Sequence, residues 1–307
     1  MMRGDRTELA SLVMDVDLPQ LRALAAAVDE GSFDAAARAL SVTPSAVSQR
    51  IKALEAAAGQ VLVVRGKPIE VTEAGQAYLR LARQIAALTS ELGRVVDHPG
   101  TPPVVALAVN GDSLGTWVLP ALAPLAGTVC FDIRREDESH SAALLRQGVV
   151  MAAITTAVEP VQGCRVTALG VMRYRPMASA SFVRRWFPDG VTVEALAAAP
   201  VLTFDRRDDL QDAYLRRRTR RRLDPPRHYV PSTADFGTAV RLGIGWGMLP
   251  DHQLRPERRR GQLVELDPGG TLDVALNWQQ WALRTEALER TAAAIRAAAA
   301  EHLIQPR

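Results

Sequence analysis

The amino-acid sequence predicts an α/β chain of two units: a helical head of about a hundred residues, then about two hundred that alternate strand and helix. Three observations carry this. Apolar residues recur at helical spacing from Leu18, the run His98-Pro99-Gly100-Thr101-Pro102-Pro103 breaks helicity, and apolar stretches of strand length alternate with helical patterns from Val104. The 307 residues exceed what one hydrophobic core usually holds, and 48% hydrophobic with 23% charged residues is an ordinary globular balance. Residues 1–15 precede the first pattern and read as a disordered extension, with Met14 as an alternative start.

Leu18, Leu21, Leu24, Ala25 and Val28 form the stripe of a first helix that Gly31 closes. Ser32 caps a second, with Phe33, Ala36, Ala37 and Leu40 inward. After Ser41-Val42, Thr43 is an N-cap and Pro44 takes the first helical position, where its missing N–H costs nothing. This third helix turns Val47, Ile51, Leu54 and Ala58 inward and Ser45, Ser48, Gln49 and Lys52 outward. A polar, short-chained face of this kind can enter the major groove of double-stranded DNA, where Gln reads adenine, Ser donates or accepts, and Arg50 and Lys52 reach phosphates.

Two helices joined by a tight turn have helix-turn-helix geometry; the plain alternative is a three-helix packing unit with no DNA role. Residues 61–64 and 69–71 flank Arg65-Gly66-Lys67-Pro68 as a hairpin, a wing with Arg65 and Lys67 at its tip. The candidate DNA contacts are therefore Ser32, Thr43, Pro44, Ser45, Ser48, Gln49, Arg50, Lys52, Arg65 and Lys67. A net charge of +3 and a pI near 9.2 are compatible with nucleic acid, but distribution matters more than the sum.

The segment GSFDAAARALSVTPSAVSQRIKALEAAAGQVLVVRGKPIEVTEAGQAYL resembles the DNA-binding region of LysR-type regulators. It spans two helices, their turn, the wing and the Thr72-Glu73-Ala74-Gly75 start of the next helix. The resemblance implies a winged helix-turn-helix transcriptional regulator, an activator rather than an enzyme, joined to a periplasmic-binding-protein-like pair of lobes around a ligand cleft that the chain crosses twice.

Beyond Thr72, Tyr78, Leu81, Ile85, Leu88, Leu92 and Val95 follow the rhythm of a coiled coil, or of a helix packed on its own domain. Reaching residue 97, the helix would be about 39 Å long at ~1.5 Å per residue. Pairing along it makes a homodimer, or a homotetramer as a dimer of dimers, and the two-fold axis implies a pseudo-palindromic promoter site. RNA polymerase is the further partner expected of a promoter-bound activator. The expected division is 16–72 for the head, 73–98 for the dimerisation helix and 102–303 for the effector domain, with lobe 1 at 102–172 and 272–303 and lobe 2 at 173–271.

In the effector region, residues 104–109 read as a strand, followed by a helix through Leu125, a strand at 129–133, a helix at 139–147 and a strand at 149–155. Strands at 201–204 and 246–250 and a closing helix from Thr285 to about Leu303 follow. The pattern argues for a mainly parallel sheet, in which ligands favour the C-terminal ends of strands beside helix N-termini. Asn110, Asp112, Ser113, Thr116 and Trp117 sit at such a junction, where Asp112 either binds an ammonium group or caps the helix. Thr155 and Thr156, Asp205 and Asp208 in the acidic loop 204–209, and Ser232 and Asp235 at another helix start are the facing candidates. That loop either attracts a cation, strongly if the cleft is poorly solvated, or is ordinary surface charge balanced by Arg206 and Arg207.

PVLTFDRRDDLQDAYL and NGDSLGTWVLPALAPL resemble the branch of LysR-type proteins known as ArgP or LysG. That resemblance implies a response to lysine or arginine and control of basic amino-acid export; a LysR-type regulator of another metabolite, or a ligand-binding or enzymatic α/β protein with a helical accessory, is the alternative. The arginine run 216–222 departs from the branch pattern and reads as a solvated helical face or as a second contact to DNA or polymerase.

Cys130 and Cys164 are far apart in apolar surroundings and read as buried, inert thiols. The scattered His98, His140, His228, His252 and His302 give no metal-ligand or catalytic spacing, and Gly243-Ile244-Gly245-Trp246-Gly247 lacks the strand-then-helix context of a nucleotide loop. Neither a metal nor a cofactor is expected. No apolar run has membrane-spanning length and the N-terminus has no signal-type core, so the expected location is the cytoplasm.

Overall fold

The computed structural model describes residues 17–96, 102–136, 138–258 and 262–305. The expected extension at 1–15 and the break at 98–101 lie outside them, as do the side chains of Leu92 and Val95. The head consists of α1 (Leu18–Asp29), α2 (Phe33–Ala39) and α3 (Pro44–Ala58), then the hairpin β1 (Val63–Val64) and β2 (Glu70–Val71), then α4 (Glu73–Val96). Ser32 Oγ accepts from Ala35 N at 3.2 Å and Thr43 Oγ1 from Ala46 N at 3.1 Å, the two expected caps. Leu21, Leu24, Val47, Ile51, Leu54 and Leu62 close a small core that α4 joins through Leu79 and Ala82.

The wing strands are shorter than the sequence predicts, and Thr72, between β2 and α4, closes the base of the hairpin. Thr72 donates from Oγ1 to Val61 O at 2.8 Å and from its N–H to Leu62 O at 3.0 Å. Glu55 of α3 accepts from Leu62 N at 2.9 Å and Val63 N at 3.3 Å, fixing the wing to α3. The approach is so close that a Cβ on Gly75 would stand 2.0 Å from Leu62 O, which only glycine avoids.

Beyond Pro102 one mixed sheet organises the chain. β3 (Val104–Val109) lies parallel to both β4 (Cys130–Arg135) and β5 (Ala152–Thr155). The sequence-based expectation of a mainly parallel sheet holds only for these three. Two long strands, β6 (Cys164–Ser179) and β11 (Leu272–Trp281), run antiparallel to each other, and β11 pairs antiparallel to β5. Their register shifts at Leu276/Asn277, opposite Gly170, whose φ is 129°. Past this bulge β6 pairs with β9 (Gly247–Pro250) and β10 (Leu263–Glu265), so the two long strands serve both lobes.

Lobe 1 carries a helical run at its first crossover, α5 (Gly111–Ser113), a π turn over Leu114–Val118, α6 (Leu119–Leu122) and a 3-10 turn, as well as α7 (Glu138–Gln147). Lobe 2 adds α8 (Ala180–Trp186), α9 (Val193–Ala198), α10 (Leu210–Arg218), α11 (Thr233–Leu242) and α12 (Asp251–Arg258), with the small parallel pair β7 (Val201–Thr203) and β8 (Arg227–Tyr229). The closing helix α13 (Glu286–His302) returns to lobe 1, burying Leu288, Ala292 and Ile295.

The cysteine expectation is corrected. Cys130 is exposed, because β4 is an edge strand with its first residue turned outward, and Cys164 is half-buried with its thiol pushed up to about 11 by burial. Among the described residues no helix is long and apolar enough to cross a membrane.

Candidate DNA-reading head and effector cleft

On α3 the outward face follows the periodicity of the sequence. Ser45, Gln49 and Lys52 are exposed, Ser48 and Arg50 half-buried, and Val47, Ile51 and Leu54 buried beneath them. Ser32 and Thr43 use their oxygens as caps, which leaves each hydroxyl proton free to point at a phosphate. Pro44 is exposed beside Thr43. At the wing tip Arg65 and Lys67 are exposed, and the Arg65 guanidinium lies 5.9 Å over the Phe33 ring, drawing the wing toward the start of α2.

The long helix α4 has two apolar faces. Tyr78 and Ile85 pack on the head together with Leu79 and Ala82, whereas Leu81 and Leu88, one heptad apart, stay 37% and 41% exposed. The reading of a helix packed on its own domain therefore holds for one face, and Leu81 and Leu88 leave apolar surface exposed on another.

Between the lobes lies a cavity of about 370 Å³, lined by Asn110, Asp112, Thr156, Asp205 and Asp208 of the sequence candidates. The other candidates lie elsewhere. Ser113 and Trp117 are fully buried, and Thr116 turns its hydroxyl back to Asp112 O at 2.6 Å. Buried Thr155 accepts from Ala157 N at 3.1 Å, Ser232 caps α11 and Asp235 is exposed. Their places are taken by neighbours. Phe204, Arg207, Asp209 and Thr233 belong to segments the sequence had marked as candidate sites, Gln211 and Met248 lie in a branch motif and an expected strand without having been singled out, and Tyr174 and Gln253 had no sequence signal.

Asp112 is the centre of this site. It is not a helix cap, since the N-cap of α5 is Asn110. Its Oδ2 accepts from Tyr174 Oη at 2.9 Å and its Oδ1 from Thr233 Oγ1 at 3.1 Å. Burial pushes its carboxyl above the usual range, the two hydroxyls pull it partly back, and the charge of Asp208 raises it further. Asp208 is raised too, first by burial, although it accepts from Phe204 N at 2.9 Å and Leu210 N at 3.1 Å; Asp205 beside it adds repulsion. Gln211, buried in the wall, keeps an Oε1 without a donor among the described residues.

Acceptors thus crowd the inner wall, where Asp112 and Asp208 are withdrawn from solvent, and among the described residues Arg207, exposed at the rim, is the cation of the lining. Such a wall favours a cationic guest with several N–H donors, because Coulomb attraction strengthens as the effective dielectric falls.

Residues 18–76 match the family described as bacterial regulatory helix-turn-helix protein, lysR family, and residues 103–300 match the LysR substrate binding domain. The chain belongs to the LysR family. It is a DNA-binding transcription regulator with an effector-binding domain, and its relatives are regulators rather than enzymes. It is 49% identical over 288 residues to the HTH-type transcriptional regulator LysG of Mycobacterium tuberculosis, covering 92% of this chain and 94% of the relative. A crystal structure of ArgP from Mycobacterium tuberculosis superposes with a TM-score of 0.88 at 48% identity, over 94% of this chain and 99% of that one. Full-length LysG from Corynebacterium glutamicum with bound effector Arg superposes with a TM-score of 0.83 at 38% identity, over 94% and 100%. The LysR family and its ArgP/LysG branch are the ones the sequence motifs resemble.

Proposed function

We propose that this regulator responds to a basic amino acid, arginine or lysine, held in the cleft between the lobes, and that it activates a gene for basic amino-acid export from the cytoplasm. The observation that carries this reading is the desolvated carboxylate of Asp112 facing a cavity walled by Asp205 and Asp208. A volume of about 370 Å³ is at the small end of ligand sites and suits an amino acid. The arginine-bound relative supports the same ligand class. In this reading Asn110, Asp112, Thr156, Asp205 and Asp208 bind the effector, and residues 16–72, 73–98 and 102–303 act as head, dimerisation helix and effector domain.

The exposed Leu81 and Leu88 support pairing of two chains along α4. The dimer, or a dimer of dimers, then spans a pseudo-palindromic promoter site, with Gln49 and Ser45 at base edges and Arg65 and Lys67 on the backbone. Effector binding shifts the relative populations of lobe and dimer arrangements, and through them DNA bending and RNA polymerase recruitment. A nuclease footprint over the chain's own promoter tests this. Arginine and lysine are expected to change its extent and citrulline to leave it as it is; a footprint indifferent to all three contradicts the reading.

A further inference from the structure

Asp112 stands on lobe 1, whereas its side-chain donors among the described residues are Tyr174, on β6 just past the crossover between the lobes, and Thr233, on the far side of the cleft in lobe 2. Thr233 is the first residue of α11, and its hydroxyl reaches Asp112 Oδ1 at 3.1 Å. Its seat on lobe 1 is made of glycine. A Cβ on Gly111 would come 2.9 Å from Thr233 Oγ1, and one on Gly115, a turn later, 3.3 Å from Thr233 Cγ2. Both branches of the threonine are therefore used, the methyl against Gly115 and the hydroxyl on the carboxylate. A second contact closes the mouth beside them: the Arg135 guanidinium, at the end of β4, lies 5.8 Å over the ring of Phe204 from lobe 2, and both approach Gly111.

Resting on the reading that the cleft takes a basic amino acid, we infer that Thr233 is a positioning residue that couples lobe closure to Asp112. Its hydroxyl crosses the cleft and orients the carboxylate, so Asp112 has its full set of donors only when the lobes are shut. Closure and ligand binding then favour the same state, because a cation binds best to a carboxylate held ionised and aimed by fixed hydroxyls. Among the described residues, the charged or titratable groups that line the cavity with this carboxylate are Tyr174 on β6 and Asp205, Arg207, Asp208 and Asp209 on the loop after β7, with Arg135 at its mouth. With the threonine donor removed, Asp112 keeps only Tyr174 against burial and the charge of Asp208, so its carboxyl rises further.

The test is calorimetric titration of the full-length chain with arginine over a series of pH values, for wild type, Thr233→Val and Thr233→Ser. Valine keeps the shape and loses the hydroxyl; serine restores it. The valine variant is expected to bind about tenfold more weakly, the size of one lost hydrogen bond to a charged group. The pH at which its affinity falls is expected to move upward, and the serine variant, which lacks only the methyl against Gly115, to return the pH midpoint to wild type and to recover most of the affinity. Wild-type affinity in the valine variant overturns the inference, and so does equal weakening in both variants with an unmoved pH midpoint, which marks packing alone. Failure of the wild type to bind arginine or lysine removes instead the ligand class on which the inference rests.

Discussion

At the residue scale, the burial of Asp112 is unfavourable in the empty protein, and the proposed cationic effector would offset it. Its folded-state carboxyl is raised above the unfolded value, so its contribution to stability is present at low pH and is lost as pH rises through the folded value. Asp112→Asn is therefore expected to melt at an equal or higher temperature than wild type near neutral pH without ligand, and to lose the arginine-induced rise in melting temperature. Thermal unfolding with and without arginine checks both; an undiminished arginine-induced shift removes Asp112 from the site. On the head, Gln49 sits exposed on the outward face of α3. Gln49→Ala is expected to weaken specific DNA binding by about tenfold or more while leaving arginine affinity unchanged, since one bidentate base contact is worth ~1–3 kcal/mol. Competitive DNA-binding assays read the first effect and calorimetry the second. The site was only partly legible at this scale. At the start of α11 the sequence marks both Ser232 and Asp235, yet Thr233 between them enters the cavity, because adjacent helical positions point about 100° apart and spacing alone does not fix the rotation.

At the element scale, α4 has separate work on each face. Tyr78, Leu79, Ala82 and Ile85 pack on the head, and Leu81 and Leu88 are exposed, the face on which the proposed pairing would occur. Leu81→Glu with Leu88→Glu is expected to shift the chain from dimer to monomer in sedimentation and to weaken DNA binding while the head stays folded. Each buried leucine contributes about 1.5–3 kcal/mol, and a two-fold interface counts it twice. An unchanged sedimentation coefficient would contradict pairing along this face. The helices of the head were legible because Ser32, Thr43 and Pro44 announce their starts; the end of α3 at Gly59, with φ 65°, went unmarked. The long β6 was not legible. Gly170 and Pro176 interrupt it and arginines alternate along its half-buried side, so no run of apolar residues marks a strand that changes partners halfway. Tyr174, carried on that strand, was hidden for the same reason. The arginine run is likewise divided by context: Arg216 pairs with Asp209 at 2.5 Å, Arg217 donates to Thr271 O at 3.0 Å and Arg218 pairs with Asp267 at 3.1 Å, all within lobe 2.

At the scale of the whole molecule, head, connecting helix and effector domain meet at one guanidinium. Arg83 of α4 pairs with Asp29 of α1 and donates to Gln147 O at the end of α7 at 2.7 Å. Gly148, with φ 70°, follows directly and brings its backbone against Arg80, where a Cβ would stand 3.0 Å from the Arg80 Cα. Arg83→Met is expected to keep arginine affinity within about twofold and to reduce the effect of arginine on promoter binding, a coupling that in such systems is typically ~1–3 kcal/mol. Anisotropy of labelled promoter DNA with and without arginine measures it, and undiminished coupling would show that the signal travels elsewhere. The central claim is that an acidic, desolvated cleft selects a basic amino acid. Calorimetric titration of the full-length chain with arginine, lysine and citrulline tests it most directly. The account predicts one site per chain for arginine and lysine, citrulline at least a hundredfold weaker since an uncompensated buried carboxylate costs several kcal/mol, and affinity that falls as acidification protonates Asp112 and Asp208. Citrulline binding as tightly as arginine, or binding of the basic pair indifferent to pH, would contradict it.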